Sequence, residues 1–235
     1  MNVEHANLRT SPLRILYEDA CCIVVDKPSG IATIRTELTK ASETTVTDLL
    51  SGLLPAHRLD RGTSGCLLLA RGVEALADLQ RQFRMRTVSK SYLAIVEGHP
   101  EERQAVIDAP IGRKLTERTR MSLFTTGKQR KAETTYHTVA KGDRASLLVC
   151  RPRTGRTHQI RVHLAAIGHP ILGDDRYGSP RSEDRSRTAG IGRLCLHAHA
   201  LMFTSPATGE KVEIRAPVPE EFCIILHTLG IAWKE

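Results

Sequence analysis

The chain has 235 residues and 40% hydrophobic content, enough to bury a core as one large domain, and no run of 18 apolar residues that would cross a membrane as a helix. Met1 to Arg14 lacks the apolar centre of a signal peptide, so a cytoplasmic protein is expected. A net charge of +8 favours a polyanionic partner, and 4% aromatic content argues against an extended stacking platform for single strands; a folded RNA or DNA gripped through its phosphates fits better.

Leu13 to Tyr17 and Cys21 to Val25 are short apolar runs that read as two strands, the second ended by Lys27-Pro28-Ser29-Gly30. Ile34 to Ser42 is polar and reads as a loop. Ser42 or Thr44 is placed to cap a helix running to about Leu54, with Val46, Leu49, Leu50 and Leu53 at helical spacing and Pro55 as the stop.

Next comes His57-Arg58-Leu59-Asp60-Arg61-Gly62-Thr63-Ser64-Gly65. It sets one carboxylate between two guanidiniums. In an extended backbone Arg58 and Asp60 face one way and Leu59 faces a core. Opposite charge keeps such an acid ionised, ready to act as nucleophile, base or electrostatic stabiliser; a surface ion pair is the plain alternative. Behind it, Cys66 to Ala70 reads as a buried strand and Val73 to Phe83 as a helix with Leu76, Leu79 and Phe83 on one face. Ser89 to Glu97 alternates, with Tyr92, Ala94 and Val96 on one side and Leu93 and Ile95 on the other, as in a strand covered on both faces.

Strands are expected at Ala105 to Ile111, Ala132 to Val139 and Ser146 to Cys150. Positive charge concentrates in this half: from residue 103 to 131 there are eight basic residues and two acidic ones, and from Arg144 to Arg161 five arginines and no acid. The first cluster suits a mobile loop or hairpin facing RNA. In the stretch from Arg151 to His163, Thr154 or Thr157 is placed to cap a helix with Ile160, Leu164 and Ile167 on its apolar face and Gly168 at its end. The free N–H groups of that helix start and the nearby arginines favour an anion.

Pro180 to Gly190 is charged and serine-rich and reads as flexible; Leu194 to Phe203 and Val212 to Ile214 flank a hairpin turn; Pro219 to Leu229 is a closing helix. Many strands with interspersed helices and no regular βαβ alternation indicate an α+β fold with a largely antiparallel sheet. Six scattered cysteines without C-x-x-C spacing read as reduced, mostly buried thiols. Ten histidines include His197-x-His199 and His158 with His163, but neither pair has the spacing of a helical zinc site, so no metal is expected. No phosphate-cradling glycine loop is present.

Asp60 in its context, Cys21 to Gly30 before it, and then Ser89 to Ala94, Thr154 to His163 and Leu172 to Gly178 resemble, in the same order over residues 13 to 225, the RluA-type pseudouridine synthases. The resemblance implies a single catalytic domain over residues 1–235, without the S4-type RNA-binding module of many relatives. It implies a mixed, mostly antiparallel sheet with flanking helices and a central basic cleft, and isomerisation of selected uridines in ribosomal or transfer RNA without a cofactor. It further implies Asp60 as the essential aspartate, Tyr92 as the ring that stacks on the base and Arg161 as the cation paired with Asp60, with Arg58 helping to hold the extruded nucleotide. Arg61, Thr63, Arg156, His158 and Gln159, in the same motifs, are the further substrate-binding candidates. A monomer with no obligatory protein partner is expected. Ile31-Ala32-Thr33-Ile34 departs from the His-Pro common after Gly30 in relatives, and Gly62 stands where many carry an acid. Two rivals remain: an RNA-binding protein that has lost turnover, and a hydrolase of nucleosides or glycosides using Asp60 with a second acid, for which Asp174 is the candidate.

Overall fold

Cys22-Ile23-Val24-Val25 is an unbroken aliphatic run, and a run covered on both faces becomes an interior strand. The computed structural model describes residues 13–37, 39–113, 120–123 and 128–234. In chain order the elements are β1 (Arg14–Glu18), β2 (Cys22–Lys27), α1 (Val46–Leu49), β3 (Leu54–Pro55), β4 (Ser64–Ala70), α2 (Val73–Met85), β5 (Ser89–Glu97), β6 (Gln104–Asp108) and β7 (Ile111–Arg113). There follow β8 (Met121–Ser122), β9 (Gln129–Arg130), β10 (Glu133–Lys141), β11 (Ala145–Pro152), α3 (Gln159–Ala166), α4 (Pro180–Thr188), β12 (Leu196–Thr204), β13 (Lys211–Arg215) and α5 (Glu220–Thr228). The fold is α+β with mostly antiparallel pairing, the class that the order of apolar runs indicates.

Where the sequence reads as one domain, the contacts group the chain into two units: residues up to Ser89 with Ala198–Pro217, and Lys90–His197 with Val218 to the C-terminus. In the first, the strand order is β1-β2-β4-β12, with β13 beside β12 and β3 beside β4. Its core joins Cys22, Val24, Cys66, Leu68 and Phe203 to Leu79 and Ala75 of α2. Gly65 allows the close approach of β4 to β12: it sits at φ +106, and an added Cβ would lie 2.3 Å from the Ala198 carbonyl oxygen. In the second unit the order is β5-β11-β10-β6, with a separate small sheet β8-β7-β9. Its core runs through Leu93, Ile95, Leu147, Leu148, Ile160, Leu164 and, from α5, Phe222 and Leu226.

Several elements differ from expectation. The helix expected to reach Leu54 is the single turn α1, capped by Thr45, whose side chain accepts from the Asp48 amide while Asp48 answers to the Thr45 N–H. Leu50 and Leu53 are nevertheless buried, so the apolar spacing reports burial while Gly52, at φ +87, turns the chain away from helix. The strand expected over Ala105 to Ile111 breaks into β6 and β7 at Ala109-Pro110, because proline has no N–H for a ladder. The stretch 180–190, read as flexible, is mostly α4 (Pro180–Thr188): Ser179 and Ser182 make a reciprocal cap, with Pro180 in the first turn. This helix buries Ser182 and Ser186 in place of an apolar stripe, which hides it from a search for hydrophobic periodicity. Within the basic 103–131 segment, residues 114–119 and 124–127 lie outside the described residues; the rest supplies β6 to β9.

Candidate active site

In the first unit, the chain around Asp60 is irregular, and four side chains or amides from the end of β2 and the loop after it fix its path. Lys27 is fully buried, and its ammonium donates to the carbonyls of Pro28, Ile31 and Arg61 at 2.8, 2.7 and 3.2 Å. Ser29 donates to the Gly62 carbonyl at 2.8 Å, and the Gly30 amide to the Arg61 carbonyl at 2.9 Å. Thr33 brackets Leu59, accepting its N–H at 3.1 Å and donating to its C=O at 3.0 Å. The Thr63 amide closes a turn onto the Asp60 carbonyl at 3.0 Å. Leu59 is buried, Asp60 half-buried and Arg58 exposed, the alternation expected of this stretch although no strand carries it. Arg61 spends its guanidinium on the Gly30 carbonyl and on Glu43, and Thr63 is buried at the foot of β4, so both build the loop. Reading Lys27 to Gly30 only as a strand end misses this clamp; a lysine beside proline at the end of a strand that begins Cys22-Ile23-Val24-Val25 was its signal. Thr33 supplies the anchor in the segment that departs from the relatives' His-Pro pattern.

His57 is not poised for acid–base work. Its Nε2 accepts the Leu68 N–H at 3.1 Å, and its ring lies 5.0 Å from that of Phe83.

In the second unit, Arg161 rides on α3 with its side chain 7% exposed, and Asp174 grips it with two hydrogen bonds, Nε to Oδ2 at 2.8 Å and Nη2 to Oδ1 at 2.7 Å. Burial alone raises the Asp174 carboxyl, but the Arg161 hydrogen bonds and charge, with the Arg176 and Tyr177 amides, outweigh it and hold the group below its ordinary value. Asp174 is therefore committed as a carboxylate and unsuited to be the general acid of a hydrolase. Tyr177 lies beneath: the Arg161 guanidinium carbon is 5.2 Å and that of Arg120 5.5 Å from its ring centre, while its hydroxyl accepts the Met121 N–H at 2.9 Å and bonds His158 Nδ1 at 2.8 Å. Tyr92 is half-buried on β5, opposite Cys150 of β11.

Neither expected threonine caps α3. The cap position is His158, in a left-handed conformation at φ 55, and Thr154 instead donates to Gln159 Oε1 at 2.6 Å. Gln159 also accepts the Arg156 N–H and donates to the Glu133 carbonyl and to Thr134, so its amide organises the turn before α3. Arg156 is half-buried, with Nε on the Lys131 carbonyl at 3.1 Å. Both nitrogens of His163 are taken, by Thr134 and the Ala109 carbonyl, and burial lowers its pKa: a neutral histidine of the interior. The cysteines are unpaired, and burial pushes the thiols of Cys66, Cys150 and Cys195 up to about 12, leaving them unreactive.

The family described as RNA pseudouridylate synthase matches residues 22–166, which contain Asp60, Tyr92 and Arg161. The chain belongs to this family, in its RluA-type branch. It is 38% identical to the dual-specificity RNA pseudouridine synthase RluA of Escherichia coli over 92% of this chain and 99% of that one. Against the ribosomal large subunit pseudouridine synthase D of Nitrosomonas europaea it is 39% identical over 93% of its own length, spanning 65% of that relative. The solved structure of human RNA pseudouridylate synthase domain containing 1 superposes with a TM-score of 0.78 at 30% identity, covering 94% of this chain and 89% of that one. Members of this synthase family are isomerases that convert uridine to pseudouridine in RNA, which gives the fixed loop and the held arginine a chemical context.

Proposed function

We propose that this chain isomerises chosen uridines of structured ribosomal or transfer RNA, with Asp60 as the essential carboxylate, Tyr92 as the ring that receives the extruded base and Arg161 as the basic partner of Asp60 in the reaction. The observation that carries the reading is the loop at Asp60. Three backbone carbonyls on one buried ammonium and two hydroxyl clamps hold it before any substrate arrives, as preorganised catalysis requires. The family and the names of its relatives support the RNA substrate.

The reaction breaks C1′–N1 with the bonding pair left on the uracil, turns the base while it is held, and joins C5 to C1′; the C5 proton is lost and N1 takes one up. Extrusion of the nucleotide costs a few kcal/mol, part of which stacking on Tyr92 returns. The carboxylate has three open modes: attack at C1′, addition at C6, or removal of a proton at C2′. Exposed Arg58 and the half-buried Arg156 and His158 are assigned to RNA contact. Arg61, Thr63 and Gln159 are reassigned from RNA contact to holding the backbone that presents it. The enzyme acts in the cytoplasm as a monomer.

Asp60→Asn should abolish pseudouridine formation on unmodified ribosomal and transfer RNA transcripts and leave RNA retention on filters within about threefold of wild type. Turnover by the variant comparable with wild type would remove Asp60 from the mechanism. Release of free uracil by the wild type would replace isomerisation by hydrolysis.

A further inference from the structure

Lys90 opens the second unit, two residues before Tyr92 and on the same side of β5. It is half-buried, and among the described residues its ammonium makes one hydrogen bond, to the Thr154 carbonyl at 3.0 Å. Among the described residues it has no ion pair. The charged groups on the adjoining segments are Arg151, Arg153 and Arg156 on the strand end and turn, and Glu133 at the start of β10. Glu133 faces Arg153 at 3.5 Å, and the Arg156 guanidinium lies on the Lys131 carbonyl. Gly155 puts no side chain over the ammonium; a Cβ there would stand 3.8 Å from Nζ. An ammonium has three N–H donors, and here one is spent. Burying such a cation without a carboxylate is costly unless a ligand completes it.

We propose that Lys90 is a phosphate-binding residue for the substrate, its two remaining N–H donors taking a backbone phosphate that flanks the target uridine as the base turns toward Tyr92. This deepens the isomerase reading and rests on it. The surroundings carry further positive charge: Arg156 stands on the turn after Thr154, and exposed Arg151 and Arg153 lie on the strand end before it, on the other face of the sheet. Desolvation supports the same role from another side. It lowers the Lys90 pKa from 10.5 to about 8, so the free protein begins to lose this charge at mildly alkaline pH, while a bound phosphate stabilises the protonated form. RNA affinity therefore falls as pH rises above about 8.

The test uses the full chain, unmodified transcripts of large-subunit ribosomal RNA fragments and transfer RNA, and the variants Lys90→Gln and Lys90→Arg. Lys90→Gln should raise KM about tenfold with little change in kcat, and reduce the slope of log affinity against log salt by about one phosphate contact. Lys90→Arg keeps its charge, so its KM should stay level between pH 7 and 9 where that of the wild type climbs; any titration of the RNA itself is common to both. A transcript with neutral methylphosphonates on either side of the target uridine should weaken wild type as Lys90→Gln does, with no further loss when the two are combined. An unchanged KM and salt slope in Lys90→Gln, or the same alkaline rise in Lys90→Arg as in wild type, would overturn the inference. Absence of pseudouridine in the wild-type reaction would overturn the enzymatic reading instead, and filter retention would still test Lys90.

Discussion

Lys27 shows what one buried cation does with backbone carbonyls around it. Its three acceptors lie on two segments, 28–31 and Arg61, so the ammonium ties the residues after β2 to the loop that presents Asp60. Lys27→Met keeps the volume and leaves those carbonyls without their donor. A loss of about 3 kcal/mol in urea unfolding is expected, with faster amide exchange over residues 59–63 and a fall in kcat larger than any rise in KM. Asp174 makes a comparable argument from the opposite charge. Its pKa is lowered in the folded chain, so its contribution is complete above the unfolded value of about 4 and drains away as pH falls through the native value. Asp174→Asn should cost about 3 kcal/mol at pH 7 and flatten the acid limb of stability; an acid limb as steep as that of wild type would show that other carboxylates carry it. At this scale the sequence singled out Asp60, Tyr92 and Arg161, the residues proposed for the chemistry, because they stand in distinctive strings of residues. It did not name their holders. A serine and a threonine near a turn have no pattern until folding brings their partners within hydrogen-bond distance.

Elements were legible in proportion to how far their burial followed a period. β5 was readable to the residue because Leu93 to Val96 are all buried in an alternating frame, and α2 was readable from Leu76, Leu79 and Phe83. By contrast α4 buries serines: Ser186 donates to the Ser182 carbonyl and accepts the Gly173 N–H at 2.9 Å, and Arg185 reaches Asp143. Such a helix is held by its cap and polar contacts, so Ser179→Ala should cost about 1 kcal/mol and loosen residues 179–188 in hydrogen exchange without moving the rest. Gly65→Ala probes the opposite case, a strand fixed by close approach. With the Ala198 carbonyl 2.3 Å from the new Cβ and a positive φ, the strands have to separate, and a loss of more than about 2 kcal/mol is expected in thermal unfolding.

For the whole molecule, each of the two units carries its own core, one around Leu68 and Phe203 and the other around Leu147 and Phe222. Charge is divided as well: residues 1–100 hold 12 basic and 11 acidic side chains, residues 101–235 hold 22 and 15, so the excess that draws an RNA lies mainly in the second part. By itself the sequence determined the fold class and the family, and supplied the candidates proposed for the chemistry, because these depend on residue type and on spacing along the chain. Only the tertiary structure decided which residues serve as supports: Arg61 and Thr63 within the loop, Gln159 within the turn, Asp174 beneath Arg161. The reason is physical. A hydrogen bond between residues 26 or 34 positions apart, such as Thr33 to Leu59 or Lys27 to Arg61, leaves no periodic trace in the chain, yet it is what holds the Asp60 backbone in one conformation.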